Sequence, residues 1–176
     1  MPEAKIYVAC LASYNAGQLH GEWIDCDQDS DSIMEEIQEM LKRSPQPNAE
    51  EWAIHGTEGF GDWTPSNLGQ ASMAAEMMSD HGEAAIAWIE NYAHDGLDPS
   101  EWNDRFQDQY YGEHESEKAF AEDLIESLEE TLSETTITYG TAWSYLDFEA
   151  IARDLFICDY TSYDSSGGIY VFSNHR

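Results

Sequence analysis

The sequence predicts an α+β protein with an elongated shape, built as three small domains in series over residues 1–60, 61–104 and 105–176. Three observations support this fold class. Two apolar segments joined by a turn open the chain, the middle third is rich in Ala and Met, and the last third combines a long amphipathic helix with segments of strand character.

The first predicted domain is a three-stranded antiparallel sheet with one helix. Residues 6–11 and 19–26 are expected to be strands, because both are largely apolar and Asn15-Ala-Gly17 between them is typical of a turn. Ser32 and Glu35 have the spacing of a capping box, and residues 52–54 supply a third strand. The helix between them has one apolar face, formed by Ile33, Met34, Ile37, Met40 and Leu41.

The second predicted domain is helical. A glycine-rich connector at 56–61 leads to Thr64-Pro65, which suits a cap and a first helical position. One helix is expected from there through Met78 and a second over residues 83–93, and Asp98 caps a short helical turn.

The third predicted domain is a small sheet with helices. Residues 106–112 have strand character, and residues 117–132 and 148–155 are expected to be helices. Strands flanking residues 164–168 close the chain.

The predicted helix at 117–132 separates apolar from acidic side chains. At 100° per residue, one face carries Phe120, Ala121, Leu124, Ile125, Leu128 and Leu132, and a separate face carries Glu122, Asp123, Glu126, Glu129 and Glu130. Like charges four residues apart oppose a helix by roughly 0.2–0.5 kcal/mol each. Folding alone would favour interspersed lysines, so the face is either simply solvated or used for binding.

Charge is the dominant property of the composition. The chain has 36 Asp and Glu against 7 Lys and Arg, a formal net charge of −29 in 176 residues. The charge is spread evenly, because residues 1–60, 61–110 and 111–176 contain 12, 10 and 14 acids against 3, 1 and 3 bases. With 41% hydrophobic residues, the chain is a folded acidic protein and not a disordered acidic tail.

The net charge has the wrong sign for binding nucleic acid and the right sign for competing with it. Duplex DNA carries one charge per ~1.7 Å, so 29 charges correspond to roughly 50 Å, or about 15 base pairs. A single globule of this length has a radius of gyration of about 16 Å. Negative charges spaced as they are along a DNA duplex would therefore require an elongated shape or a dimer.

The sequence argues against several other classes of protein. Three cysteines without CxxC spacing favour reduced thiols, and no secretory or membrane-spanning pattern is present, so a cytoplasmic location without membrane association is expected. The six histidines form no HExxH motif, and no GxSxG or phosphate-binding loop occurs. We therefore expect no enzyme activity and no cofactor.

A calcium site is the strongest metal hypothesis. Asp25, Asp27, Asp29 and Glu36 occupy positions 1, 3, 5 and 12 of an EF-hand-type loop. Position 6, which requires Gly, is Ser30, and the preceding segment is predicted to be a strand. A loop whose carboxylates cap the following helix is favoured, and no metal is predicted.

Three segments resemble the ArdA antirestriction family. The N-terminal Ile6-Tyr-Val-Ala-Cys-Leu-Ala-Ser-Tyr-Asn-Ala-Gly-Gln-Leu-His-Gly-Glu-Trp23 resembles the family's strand, Tyr-Asn turn and Gly-x-Trp strand. Glu51-Trp-Ala-Ile-His55 is similar to its return strand, and Tyr145-Leu-Asp-Phe-Glu-Ala-Ile-Ala-Arg-Asp-Leu155 to its C-terminal pattern. The middle third is similar mainly in helical character and acidity.

The resemblance implies a dimeric, cytoplasmic inhibitor of type I DNA restriction-modification enzymes, usually carried on a plasmid or transposon, whose three domains imitate bent duplex DNA. The expected partner is the methyltransferase and specificity core of such an enzyme, with no direct binding of nucleic acid. We expect distributed carboxylates to take the place of phosphates: Asp25, Asp27, Asp29, Asp31, Glu35, Asp80, Glu83, Glu90, Glu113, Glu115, Glu122, Asp123, Glu126, Glu129 and Glu130. Candidate dimer contacts are Tyr145, Phe148, Ile151 and Leu155.

Two alternatives stay open on the sequence alone. An acidic decoy for another basic DNA-binding protein would have the same charge. A calcium-binding protein would require stoichiometric metal binding at residues 25–36.

Overall fold

The computed structural model describes residues 3–93, 96–132 and 145–174, and for residues 129–132 only the backbone. Within them the fold is α+β, with two three-stranded antiparallel sheets and seven α-helices, as the sequence predicts. The contacts divide the chain into two compact units, Met1–Asn103 and Asp104–Arg176. The organisation into three domains and the elongated shape stay predictions.

The first unit begins with a sheet in the order β2-β1-β3. Its elements are β1 (Lys5–Cys10), α1 (Leu11–Asn15), β2 (Gly21–Asp25), α2 (Ser30–Lys42) and β3 (Trp52–Glu58). One face of the sheet presents Ile6, Val8 and Ile24 to α2, whose Ile33 and Ile37 are also fully buried. This apolar contact between sheet and helix is the core of residues 3–58.

The rest of the first unit is helical. It consists of α3 (Leu68–His81), α4 (Glu83–Tyr92), a 3₁₀ turn (Pro99–Glu101) and the start of α5 (Trp102–Gln109). Trp102 is fully buried, with its ring 5.8 Å from that of Trp63 and 6.3 Å from that of Trp88. Large aromatic groups and small alanines thus build this core, which is how a strongly charged chain buries enough apolar surface to fold.

The second unit contains β4 (Tyr110–His114), α6 (Glu117–Leu132), α7 (Phe148–Cys158), β5 (Tyr160–Asp164) and β6 (Ile169–Ser173), with sheet order β4-β6-β5. Phe172 on the central strand is fully buried against Phe106 and Tyr110. Phe120 of α6 packs edge-on against Tyr160, with ring centroids 4.8 Å apart. Helices α6 and α7 pack against each other.

Four local predictions need correction. The segment between β1 and β2 contains the short helix α1 and is not a simple turn. The N-cap of α2 is Asp29 and not Ser32, because the side chain of Asp29 accepts hydrogen bonds from the N–H groups of Asp31 and Ser32. Helix α3 begins after Asn67, not at Thr64-Pro65, because the side chain of Asn67 accepts the N–H of Gln70. Residues 106–109 are helical and not a strand, because they continue α5.

None of the described helices is both long enough and apolar enough to cross a membrane.

A distributed acidic surface as the candidate functional site

The acidic side chains lie on the surface throughout the described part of the chain. Of the 32 Asp and Glu whose side chains the structure describes, none is buried, and only Glu22, Glu122 and Asp159 are partly covered. Residues 1–103 contain 20 acids against 3 bases, and residues 104–176 contain 16 against 4. Each unit is therefore strongly negative on its own.

Several of the few bases lie close to carboxylates of the same chain. Lys42 and Arg43 approach Glu39 and Glu22, each with 2.6 Å between nitrogen and oxygen. Lys118 lies 3.9 Å from both Glu122 and Glu149. These bases neutralise single carboxylates, and they leave the acidic excess of each unit in place.

Several predicted partner-binding carboxylates have a second role in holding the backbone. Asp25 accepts the N–H of Asp27 at 2.9 Å, and Asp29 caps α2 through bonds from the backbone and hydroxyl of Ser32. Glu90 of α4 accepts the N–H of Asp62 at 2.8 Å. Each of these carboxylates is exposed while it also fixes a loop or a helix end.

In the second unit, Glu113 accepts the hydroxyl of Ser165 at 2.5 Å and so ties β4 to the turn before β6. Asp123 of α6 lies 3.0 Å from Nδ1 of His114. The other ring nitrogen of His114 lies 3.1 Å from the carbonyl oxygen of Tyr111, so this ring joins β4 to α6.

A second set of predicted carboxylates has no hydrogen bond or ion pair from its side chain within the described residues. We call them the unengaged carboxylates: Asp27, Asp31, Glu35, Asp80, Glu115 and Glu126. All six are exposed, and their oxygens can accept bonds from a partner without releasing an internal one. Glu83 has an interaction within the chain, and the side chains of Glu129 and Glu130 lie outside the described residues.

The charge persists well below neutral pH at the capping positions. The pKa of Asp29 is lowered because the backbone N–H and the hydroxyl of Ser32 donate to its carboxylate. Asp98 caps the 3₁₀ turn through Ser100 in the same way, and its pKa is lowered for the same reason. The Lys42 ammonium lowers the pKa of Glu39.

In the segment considered as a calcium loop, carboxylates counted as candidate ligands are hydrogen-bonded to groups of the protein. Asp29 caps α2, and Glu36 accepts the side-chain amide of Gln28 at 2.8 Å. No group of three or more Asp, Glu, His or Cys with geometry suitable for a metal occurs among the described residues. The calcium hypothesis therefore gains no support here.

The candidate dimer contacts divide by exposure. Tyr145 is 84% exposed, Ile151 and Leu155 are partly exposed, and Phe148 is 7% exposed and belongs to the core. Phe148 is therefore not accessible to a second copy, whereas the other three are.

Several other carboxylates outside the predicted set are also exposed, including Glu58, Glu76, Asp104 and Asp108. Helical spacing from the buried residues of α3 and α5 could have placed Glu76, Asp104 and Asp108 on outward faces.

Comparison with known protein families identifies a match over most of the chain. The family model described as "Antirestriction protein (ArdA)" matches residues 6–169, nearly the whole chain. A search of curated proteins found no match.

Proposed function

The chain belongs to the ArdA antirestriction family, and from this premise we propose that it inhibits type I DNA restriction-modification enzymes by occupying their DNA-binding groove as a mimic of duplex DNA. Membership of this family implies antirestriction, the function of an inhibitor protein and not of an enzyme. The mimicry and the type I target are the parts that we propose.

The observation that supports mimicry is that no described carboxylate is buried and nearly all are exposed, in both units of the chain. A groove that binds DNA must present many Lys and Arg to the phosphates, and binding releases the counterions of those phosphates. An array of carboxylates can bind the same Lys and Arg side chains through charge-assisted hydrogen bonds. Inhibition of this kind requires no chemical reaction. Inhibition should then depend on many contacts, each of modest strength.

We further propose that the inhibitor is a homodimer, acts in the cytoplasm and derives from a mobile genetic element. Two copies would carry a formal charge of −58, which corresponds to about 100 Å of duplex on the same spacing. The exposed side chain of Tyr145 and the partly exposed side chains of Ile151 and Leu155 are available for such a contact in α7 and just before it.

The deciding experiment measures binding of a fluorescent DNA duplex to a purified type I enzyme while this protein is added. We expect displacement of the duplex at near-stoichiometric protein, together with loss of ATP-dependent cleavage. Direct binding of the protein to the enzyme should weaken steeply between 50 and 200 mM salt.

A basic histone-like protein serves as the control target. Loss of DNA binding by the restriction enzyme alone supports the proposed target. Equal displacement of DNA from both proteins would indicate a general acidic decoy. If DNA remains bound to several type I enzymes at excess inhibitor, the proposed function is wrong.

A further inference from the structure

The outer face of the N-terminal sheet carries an aromatic surface that the acidic mechanism does not use. Helix α2 packs against the face that holds Ile6 and Val8, and Tyr7 and Trp23 point away from it on neighbouring strands. These two residues are paired in register, and their ring centroids are 5.4 Å apart. Trp23 is 48% exposed.

Both rings lie over glycines of the sheet. A Cβ added at Gly21 would come 2.5 Å from the carbonyl oxygen of Val8 and within 2.8 Å of the Tyr7 ring, so a larger residue does not fit there, whereas one added at Gly56 would make ordinary van der Waals contact, 3.5 Å from Cη2 of Trp23. Gly56 is on β3 and Trp23 is on β2, with β1 between them. The indole therefore reaches across the central strand, and its half exposure fits one face toward the sheet and the other toward solvent.

Carboxylates border this aromatic surface at one end. Lys5 is paired with Asp25 on one neighbouring strand and with Glu58 on the other, and its ammonium lies 2.5 Å from Glu3. The pKa of Lys5 is raised, chiefly by the hydrogen bond and charge of Glu3 and further by Asp25 and Glu58. Three carboxylates surround one ammonium, so this end of the face keeps an excess of negative charge.

We propose that the Tyr7–Trp23 surface is a docking platform for an arginine side chain of the target enzyme, with the guanidinium over the Trp23 indole and its N–H groups directed to Asp25. A planar guanidinium suits both the Trp23 indole and the Asp25 carboxylate, because it stacks on an aromatic face and pairs with a carboxylate. Trp23 and Asp25 lie on the same face of β2, roughly 6.6 Å apart along the strand. A nucleobase could stack there as well, but its phosphates would be repelled.

This inference rests on the proposed function, since a groove that binds DNA supplies the arginines. The platform would add a fixed, geometry-dependent contact to a surface whose other contacts depend mainly on charge. It would also favour Arg over Lys through stacking, in addition to the bidentate pairing that carboxylates alone can offer to a guanidinium.

The two rings also cover the backbone at Gly21 and Gly56, a purely structural use of aromatic residues in a sheet. The test must separate this role from binding. Trp23→Leu keeps an apolar cover and removes the π-face, whereas Trp23→Phe keeps a smaller π-face. Thermal unfolding of each variant shows whether the cover has been preserved.

The first arm repeats the displacement of DNA from the type I enzyme. We expect inhibition by Trp23→Leu to be weaker by about three- to tenfold and inhibition by Trp23→Phe to be intermediate. Asp25→Asn should weaken it more than Asp62→Asn, which removes the same charge from another exposed site of the unit. Equal inhibition by wild type and Trp23→Leu would overturn the platform while leaving the proposed function intact.

The second arm uses no restriction enzyme. The indole N–H resonance of Trp23, assigned from its loss in Trp23→Phe, is followed while hexa-arginine or hexalysine peptide is added. We expect the resonance to shift at a several-fold lower concentration of the arginine peptide, and Asp25→Asn to reduce this difference. Equal responses to both peptides, or no response of Trp23, would refute the platform whether or not wild type inhibits the enzyme.

Discussion

Neutralising unengaged carboxylates should weaken inhibition without harming the fold. The variant Asp27→Asn/Asp31→Asn/Glu35→Gln changes three exposed side chains that have no hydrogen bond or ion pair within the described residues. If each accepts a cation of the target, its loss costs roughly 0.2–1 kcal/mol, the range for exposed ion pairs. Three such losses amount to about 0.6–3 kcal/mol, a roughly 3- to 150-fold weaker affinity.

The same variant should stay close to wild type in stability, because two small effects oppose each other. Asp31 and Glu35 are four residues apart on α2, and removing their repulsion contributes about 0.2–0.5 kcal/mol, whereas Asp31 also lies in the first turn, where its negative charge favours the helix by about 0.3–1 kcal/mol. In a chain of this size the net effect shifts Tm by at most about 3 °C. Circular dichroism gives the Tm, and calorimetric titration with a type I enzyme gives the affinity.

A matched triple variant controls for net charge. Glu22→Gln/Glu39→Gln/Glu149→Gln also changes the net charge from −29 to −26, but its carboxylates already contact Arg43, Lys42 and Lys118, respectively. Both variants reduce the long-range field equally. If the affinities of the two variants fall by the same factor, net charge and not contact with particular carboxylates controls inhibition. The prediction that unengaged carboxylates matter more than engaged ones would then be refuted.

Three further predictions concern the fold. Asn67→Ala removes the N-cap of α3 and should cost about 1 kcal/mol in unfolding free energy, or about 2–4 °C in Tm, whereas Asn67→Asp should cost much less. Native protein should expose one fast-reacting thiol to Ellman's reagent, Cys158, and three after unfolding, because Cys10 and Cys26 are buried and burial raises the pKa of Cys26 to about 12; three fast thiols in native protein would contradict this burial. Because its folded pKa is lowered, Asp29 contributes stability above its unfolded pKa of about 3.9, and this contribution is lost as pH falls through the folded value. The stability difference between wild type and Asp29→Asn in urea titrations should therefore vanish in acid, and a difference independent of pH would argue against the lowered pKa.

Strong periodicity made some elements predictable and local ambiguity made others difficult. The bounds of α6, Glu117–Leu132, follow from an apolar stripe with separate acidic residues, and the structure confirms them. Ahead of α2, the run Asp29-Ser-Asp-Ser32 offers several side chains that can cap a helix, so sequence alone could not select Asp29. Residues 106–109 contain too few apolar positions to separate a helix from a strand.

The acidic surface was predictable in extent but not in its internal contacts. Asp and Glu are rarely buried, so their exposure follows from residue type. Their partners depend on the tertiary fold: Glu90 meets the backbone of Asp62, 28 residues away, and Glu113 meets Ser165, 52 residues away. No local pattern marks such pairs. The sequence alone therefore does not distinguish carboxylates that have an internal partner from those that have none.

The division between engaged and unengaged carboxylates links stability to inhibition. Engaged ones, such as the cap Asp29 and the loop acceptor Glu90, offset part of the repulsion by fixing backbone groups. The unengaged ones gain nothing comparable within the described fold and add to the self-repulsion of the chain. On the proposed function, their positive contribution comes from binding, so a screen for thermostable variants should remove unengaged carboxylates first and lose inhibition with them. Stable variants that keep full inhibition after losing several of these carboxylates would show that the target does not contact them.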